Sequence, residues 1–187
     1  MSARFEARET PLEGVLVLRR SRLADERGYL TRLFCAEELA AVGWHGSIAQ
    51  LNETGTAKAG TVRGLHFQRP PHAEIKLVTC TRGRILDVVV DLREGSPTFL
   101  AHFTVELSEE NACSLLIPQG FAHGFQSLTD DVRMVYAHSA PHAAAYEGGL
   151  HPQDTVLAID WPLAVANLSS RDASHPMIAP DYRGIAA

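Results

Sequence analysis

Two histidines stand in apolar runs beside turn-forming residues, and the first has cations within reach along the chain. His66 lies in Thr61-Val62-Arg63-Gly64-Leu65-His66-Phe67-Gln68, and His123 in Ile117-Pro118-Gln119-Gly120-Phe121-Ala122-His123-Gly124-Phe125. Arg63 precedes the first histidine, and Lys76 follows it ten residues later. A buried imidazole flanked by fixed cations suits the removal of a proton from carbon beside a carbonyl, with the cation holding the enolate. Spacing alone does not bring these residues together. A barrel would, because inward-facing side chains of different strands meet inside it.

The elements that must position them read as strands. Val15–Leu18 is short and apolar, and Arg84–Leu92 alternates with period two. Leu86, Val88, Val90 and Leu92 share one face of that segment, and Asp87, Val89 and Asp91 the other. Similar runs lie at Lys76–Thr81, Phe99–Leu107, Ser114–Ile117, Ala122–Leu128 and Val132–His138, parted by clusters such as Glu94-Gly95-Ser96-Pro97 and Thr129-Asp130-Asp131. This predicts a sandwich or barrel. One helix is expected at Ala36–Val42, with Glu37 and Glu38 in its first turn and Gly43 at its end. Ala140–Ala145 has no clear assignment. The tail beyond Trp161-Pro162 is expected to pack on the barrel as loop and short helix.

The bulk properties narrow the function. A length of 187 residues, 45% hydrophobic and 21% charged, suits one globular domain, residues 1–187. A formal charge of −5 argues against a nucleic-acid partner. The polar stretch Met1–Thr10 has no apolar core, and no later run approaches a membrane span. A cytoplasmic protein without membrane association is expected. Cys35, Cys80 and Cys113 are odd in number and widely spaced, which reads as reduced thiols. Asp172 by itself reads as a tail carboxylate, Tyr136 as a strand tyrosine, and His138, His142, His151 and His175 as surface residues.

Pro118-x-Gly120-x-x-His123 is similar to the second motif of cupins, whose histidine often binds metal. The His-x-His pair of the first cupin motif has no counterpart here, since Phe67 and Gln68 follow His66. Lys76 stands where a carboxylate would be wanted, and an ammonium opposes a divalent cation. His72 and Glu74 remain as substitutes, but no metal is expected.

Longer blocks carry a broader resemblance. Asp25-Glu26-Arg27-Gly28, Gln50 with Asn52, Arg63–Gln68, Lys76-Leu77-Val78, Asp87–Phe99, Ile117–Phe125, Tyr136, Asp160-Trp161-Pro162 and Leu168–Asp172 occur in order between about Val15 and Pro176. In these the chain resembles the dTDP-4-dehydrorhamnose 3,5-epimerases. The resemblance implies a mainly β, cupin-type double-stranded β-helix with a few short helices, assembled as a strand-exchanged homodimer. It implies a cofactor-free epimerase that converts dTDP-4-dehydro-6-deoxyglucose to dTDP-4-dehydrorhamnose.

The same resemblance assigns roles. His66 becomes the general base, oriented by Asp172, and Tyr136 the acid on the opposite face of the sugar. Lys76 stabilises the C4 oxygen. Gln50, Asn52, Arg63, His123, Glu147 and Arg171 line the substrate site, and Arg27 reaches the diphosphate from the second subunit. Three positions depart from the family pattern. Leu30 and Arg32 stand where an aromatic and an acidic residue cradle the nucleoside, and Ala137 where lysine is common. They leave the nucleotide and the exact sugar open. The rival readings are a 3- or 5-mono-epimerase, a metal-dependent cupin oxygenase or isomerase, and a non-catalytic sugar-binding cupin.

Overall fold

The structure is a computed structural model and describes residues 4–186; residues 1–3 and 187, and with them the start of the polar N-terminal stretch, lie outside the described residues. The strands are β1 (Phe5–Glu9), β2 (Leu16–Arg20), β3 (Arg22–Asp25), β4 (Gly28–Thr31), β5 (Gln50–Thr56), β6 (Val62–Gln68) and β7 (Lys76–Arg82). They continue with β8 (Arg84–Asp91), β9 (His102–Ser108), β10 (Cys113–Ile117), β11 (Phe121–Ser127), β12 (Val132–His138) and β13 (Glu147–Gly149). Two short helices, α1 (Ala36–Ala40) and α2 (Ser170–Ala173), complete the elements of the described residues.

Eleven strands form two antiparallel sheets, ordered β1-β2-β10-β7-β12-β5 and β13-β6-β11-β8-β9, while β3 and β4 make a separate hairpin. The sheets face one another. Val17, Val78, Leu115, Ile117 and Met134 from the first meet Ile85, Val89, Leu107, Phe121 and Phe125 from the second in one buried cluster. The strand pattern called for a sandwich or barrel, and the two facing sheets form the cupin-type barrel that the family resemblance implies.

Both sheets are also covered outside. Leu18, Leu77 and Leu116 pack under Leu39 and Trp44, and Leu65, Phe67, Val88 and Val90 under Leu150, Leu157 and Ile185 of the C-terminal segment. The two faces of β8 therefore enter different cores, which is why its alternation carries apolar residues on each. Burying Leu39 and Trp44 contributes about 3–6 kcal/mol. That holds a helix of five residues which could not persist alone.

Some boundaries differ from the sequence reading. The helix stops at Ala40 rather than Val42, because the Trp44 N–H turns back to the Leu39 carbonyl and Gly43 takes a positive φ. The strand expected from Phe99 begins at His102, because residues 96–101 form successive turns tied to Asp91. The edge strand β5 has no counterpart among the expected strands. Its inward residues Gln50, Asn52, Thr54 and Thr56 are polar, so no hydrophobic alternation marks it. Cys35, Cys80 and Cys113 are all free, and burial pushes the Cys80 thiol up to about 11. Among the described residues no helix is long and apolar enough to cross a membrane.

Candidate active site

The two histidine-bearing segments are neighbouring strands. His66 on β6 is paired directly with His123 on β11. Between that pair and the next, Arg63 with Phe125, Gly64 and Leu65 face the single residue Gly124. This is a β-bulge, which resets the two-residue alternation of the bulged strand. Arg63 and His66, three residues apart, consequently both reach the cavity. Two glycines permit the close approach. A Cβ on Gly64 would lie 2.6 Å from the Gly124 Cα, and one on Gly124 2.7 Å from the Arg63 carbonyl oxygen. Gly64 also has a φ of 122°, which disfavours any other residue.

The barrel mouth opens into a cavity of about 800 Å³. On its five-stranded wall, His66 Nε2 lies 2.7 Å from Asp172 Oδ1. The carboxylate is presented by α2, whose first turn is fixed by the Asp172 N–H donating to Ser169 Oγ at 3.0 Å. The second oxygen, Oδ2, accepts from the Gly64 N–H at 3.3 Å. Burial works against the charged form, but the hydrogen bond and charge of His66, with the Gly64 and Ser169 contacts, hold the Asp172 carboxyl at about 2. Arg171 leans over the pair, with one guanidinium nitrogen 2.9 Å from His66 Nε2 and another 3.3 Å from Glu147 on β13.

The facing, six-stranded wall supplies Gln50 and Asn52 from β5, Lys76 from β7 and Tyr136 from β12. Lys76 Nζ donates to the His66 carbonyl across the cavity at 3.4 Å. Burial pushes the Tyr136 phenol far above its ordinary value, so it remains protonated. Arg63 is braced against β5, its guanidinium donating to Thr56 Oγ1 and the Gly55 carbonyl, each at 3.1 Å.

A second histidine–aspartate pair lies beside the first, on the neighbouring strands. His123 Nε2 is 3.0 Å from both oxygens of Asp87, which is wholly buried on β8. Burial raises the Asp87 carboxyl, and the charges of His123 and Lys76 only partly offset it.

His66, Asp172, Tyr136, Lys76, Gln50, Asn52, Arg63, His123, Glu147 and Arg171 thus all line one cavity. Arg27 does not. It sits at the tip of the β3–β4 hairpin, bonded to Asp25, with its side chain 84% exposed. Leu30 is exposed on the same hairpin, and Arg32 just beyond it pairs with Glu38. Ala137 faces the outer layer of Leu39 and Trp44, so this departure lies away from the cavity.

Sequence reasoning misses four residues. Asp87 carries a signal, since a carboxylate central in an apolar strand needs a buried partner. Glu74, which the sequence offers only as a substitute metal ligand, lines the cavity between Lys76 and His138. His138 and His175 are not surface residues: their side chains are 14% and 16% exposed. His175 packs against Gly149, with Nε2 3.8 Å from Asp172 Oδ1. His66, Asp172 and His175 bring ligand atoms within 4.8 Å of one another. The Arg171 guanidinium against His66 places a fixed positive charge there, which opposes a cation.

Comparison with known proteins follows the same lines. The family model described as dTDP-4-dehydrorhamnose 3,5-epimerase matches residues 9–180. The dTDP-4-dehydrorhamnose 3,5-epimerase of Sinorhizobium fredii is 42% identical over 169 residues, 88% of this chain and 85% of that protein. The crystal structure of the Bacillus anthracis 3,5-epimerase with TDP and PPi bound superposes with a TM-score of 0.89 at 37% identity. That match covers 93% of this chain and 99% of the other. A Legionella pneumophila dTDP-6-deoxy-D-glucose-3,5-epimerase, in complex with dTDP-4-keto-L-rhamnose, superposes with a TM-score of 0.90 at 32% identity. It covers 98% and 99% of the two chains.

Proposed function

The chain belongs to the dTDP-4-dehydrorhamnose 3,5-epimerase family, and on that premise we propose that it converts dTDP-4-dehydro-6-deoxy-D-glucose to dTDP-4-dehydro-L-rhamnose. It is an isomerase, an epimerase acting on carbohydrates. One observation supports the mechanism above all: the candidate base and the candidate acid stand on opposite sheets of one cavity. Inverting a carbon requires removal of its proton from one face and delivery of another to the opposite face, so two groups on facing walls suit it.

The 4-keto group acidifies the hydrogens at C3 and C5, and the carbonyl is the internal electron sink. His66 takes the proton, and the ionised Asp172 beside it keeps the ring oriented and balances the charge it gains. Lys76 holds the negative charge that gathers on the C4 oxygen; a donor so placed contributes about 3 kcal/mol. As the carbonyl re-forms, Tyr136 returns a proton to the other face, and solvent restores both groups. Inversion at C3 and at C5 uses the same pair, with the sugar turned between the two steps.

Arg27 lies outside its own chain's cavity, on a hairpin that exposes Leu23, Tyr29 and Leu30. We take the functional unit to be a homodimer in which this hairpin crosses to the other subunit and its Arg27 meets the diphosphate. Apolar residues presented together on a free hairpin support such a contact.

The direct test is incubation with the 4-keto sugar nucleotide in deuterated water without added cofactor. Deuterium should enter both C3 and C5. No label at either carbon, with binding demonstrated, removes the epimerase mechanism; label at one carbon alone makes the protein a mono-epimerase.

A further inference from the structure

We propose that Glu74 is a positioning residue: its single carboxylate holds both the Lys76 ammonium and the His138 imidazole in the cavity wall, and so sets where both meet the substrate. The inference rests on the reading of Lys76 as the group that stabilises the C4 oxygen.

Glu74 precedes β7 and its side chain is 8% exposed. Oε1 lies 3.2 Å from Lys76 Nζ, and Oε2 lies 2.8 Å from His138 Nδ1. Each oxygen thus has its own partner. Burial alone would raise this carboxyl, but the His138 hydrogen bond and the Lys76 charge outweigh it and bring it below its usual value. With both oxygens engaged and the carboxylate ionised, Glu74 is not free to exchange a proton with substrate. Its effect passes through the two groups it holds.

Those groups need holding. A lysine stem carries about 2 kcal/mol of rotamer entropy, and an ammonium displaced by about 1 Å from a developing oxyanion loses much of its value. The second anchor of Lys76 is the His66 carbonyl at 3.4 Å, which comes from the opposite sheet. His138 is the register partner of Lys76 on β12, and its ring stacks on Tyr136 at 6.1 Å and 19°. With Nδ1 bound to Glu74, Nε2 is the nitrogen left for a ligand. The charged and titratable groups around Lys76 are Glu74, His138 and Tyr136 from its own wall, and His66 and His123 with Asp87 from the facing one. Its other strand neighbour, Ile117 on β10, is apolar.

The test compares wild type with Glu74→Gln, which keeps shape and removes charge, and Glu74→Asp, which keeps charge on a shorter arm. Acetylation of Lys76 by acetic anhydride, resolved by peptide mass spectrometry without substrate, reads how far the ion pair with Glu74 withholds the amine from reaction. Turnover and KM read the reaction. In Glu74→Gln, Lys76 should acetylate at least about 3-fold faster and kcat should fall about 10–100-fold, with KM moving far less. Glu74→Asp should lie between it and wild type. Unchanged Lys76 reactivity, or unchanged kcat where wild type is active, overturns the proposal. Faster acetylation in a protein whose wild type does not turn over the sugar nucleotide upholds the anchoring and removes the epimerase reading instead. If Glu74→Gln does not fold, His138→Gln serves: kcat should fall while Lys76 reactivity stays as in wild type. A parallel rise in reactivity there means general loosening and also overturns the proposal.

Discussion

His66–Asp172 and His123–Asp87 share a chemistry and differ in setting. Asp172 is held at about 2 by its hydrogen bonds and the charge of His66, whereas burial raises Asp87. Environments that push like groups apart mark different roles. Asp172 thus stays ionised beside His66, while Asp87 sits where burial opposes its charge. His66→Ala or Asp172→Ala should therefore lower turnover by about 10²–10⁴-fold. Tyr136→Phe should behave differently. Solvent exchange at the first carbon should persist, because the base is intact, while net inversion is lost with the opposite-face donor. Wild-type turnover in a folded His66→Ala protein would remove His66 from the mechanism.

The elements explain why these residues meet. The bulge in β6 turns Arg63 and His66 to the same side, and it exists because Gly64 and Gly124 let two backbones touch. Gly64→Ala should destabilise the fold by about 2 kcal/mol or more, since both its φ and the backbone contact resist a Cβ. Urea unfolding measures this, and a loss below half that figure would mean that β6 and β11 yield easily. A second prediction concerns the turn after β8. Asp91 is fully buried and accepts from Arg93, Ser96 and Thr98 at 2.6–2.9 Å. Burial opposes its ionisation, but these bonds hold it at about 2, below the usual 3.8. A depressed carboxyl stabilises above its unfolded value, and the benefit goes as pH falls through the folded one. The Asp91 contribution, about 2 kcal/mol, should be complete above pH about 4 and lost toward pH 2. Asp91→Asn should be less stable at pH 7 and show a shallower fall between pH 4 and 2. A slope equal to wild type would show that the turn contributes nothing.

At the scale of the molecule, the prediction is complementation. If Arg27 of one subunit completes the cavity of another, Arg27→Ala and His66→Ala proteins should each be impaired. Mixing them under conditions that allow subunit exchange should restore about a quarter of wild-type activity, because half the dimers are mixed and each has one intact site. No recovery, with mixed dimers demonstrated by mass, would place Arg27 outside the substrate site. Light scattering that found only monomer at assay concentration would remove the dimer itself.

Period-two patterning and turn clusters make a sandwich or barrel legible in the chain itself, because strands buried on their faces must alternate or run apolar. Most of the cavity residues are legible through the motifs around His66 and His123 and through the family resemblance. Other features leave no local trace. The inner face of β5 is polar because it borders a cavity, so its pattern is that of a loop. His66 and Asp172 are 106 residues apart, and Glu74 and His138 are 64. Asp172 is a tail carboxylate until α2 docks on β6, and Glu74 is only a substitute metal ligand until β12 lies beside β7. Sequence periodicity reports which face of an element is buried. Which side chains meet depends on sheet register, a bulge and the docking of a distant segment, and these are set only when the two sheets close on their common core.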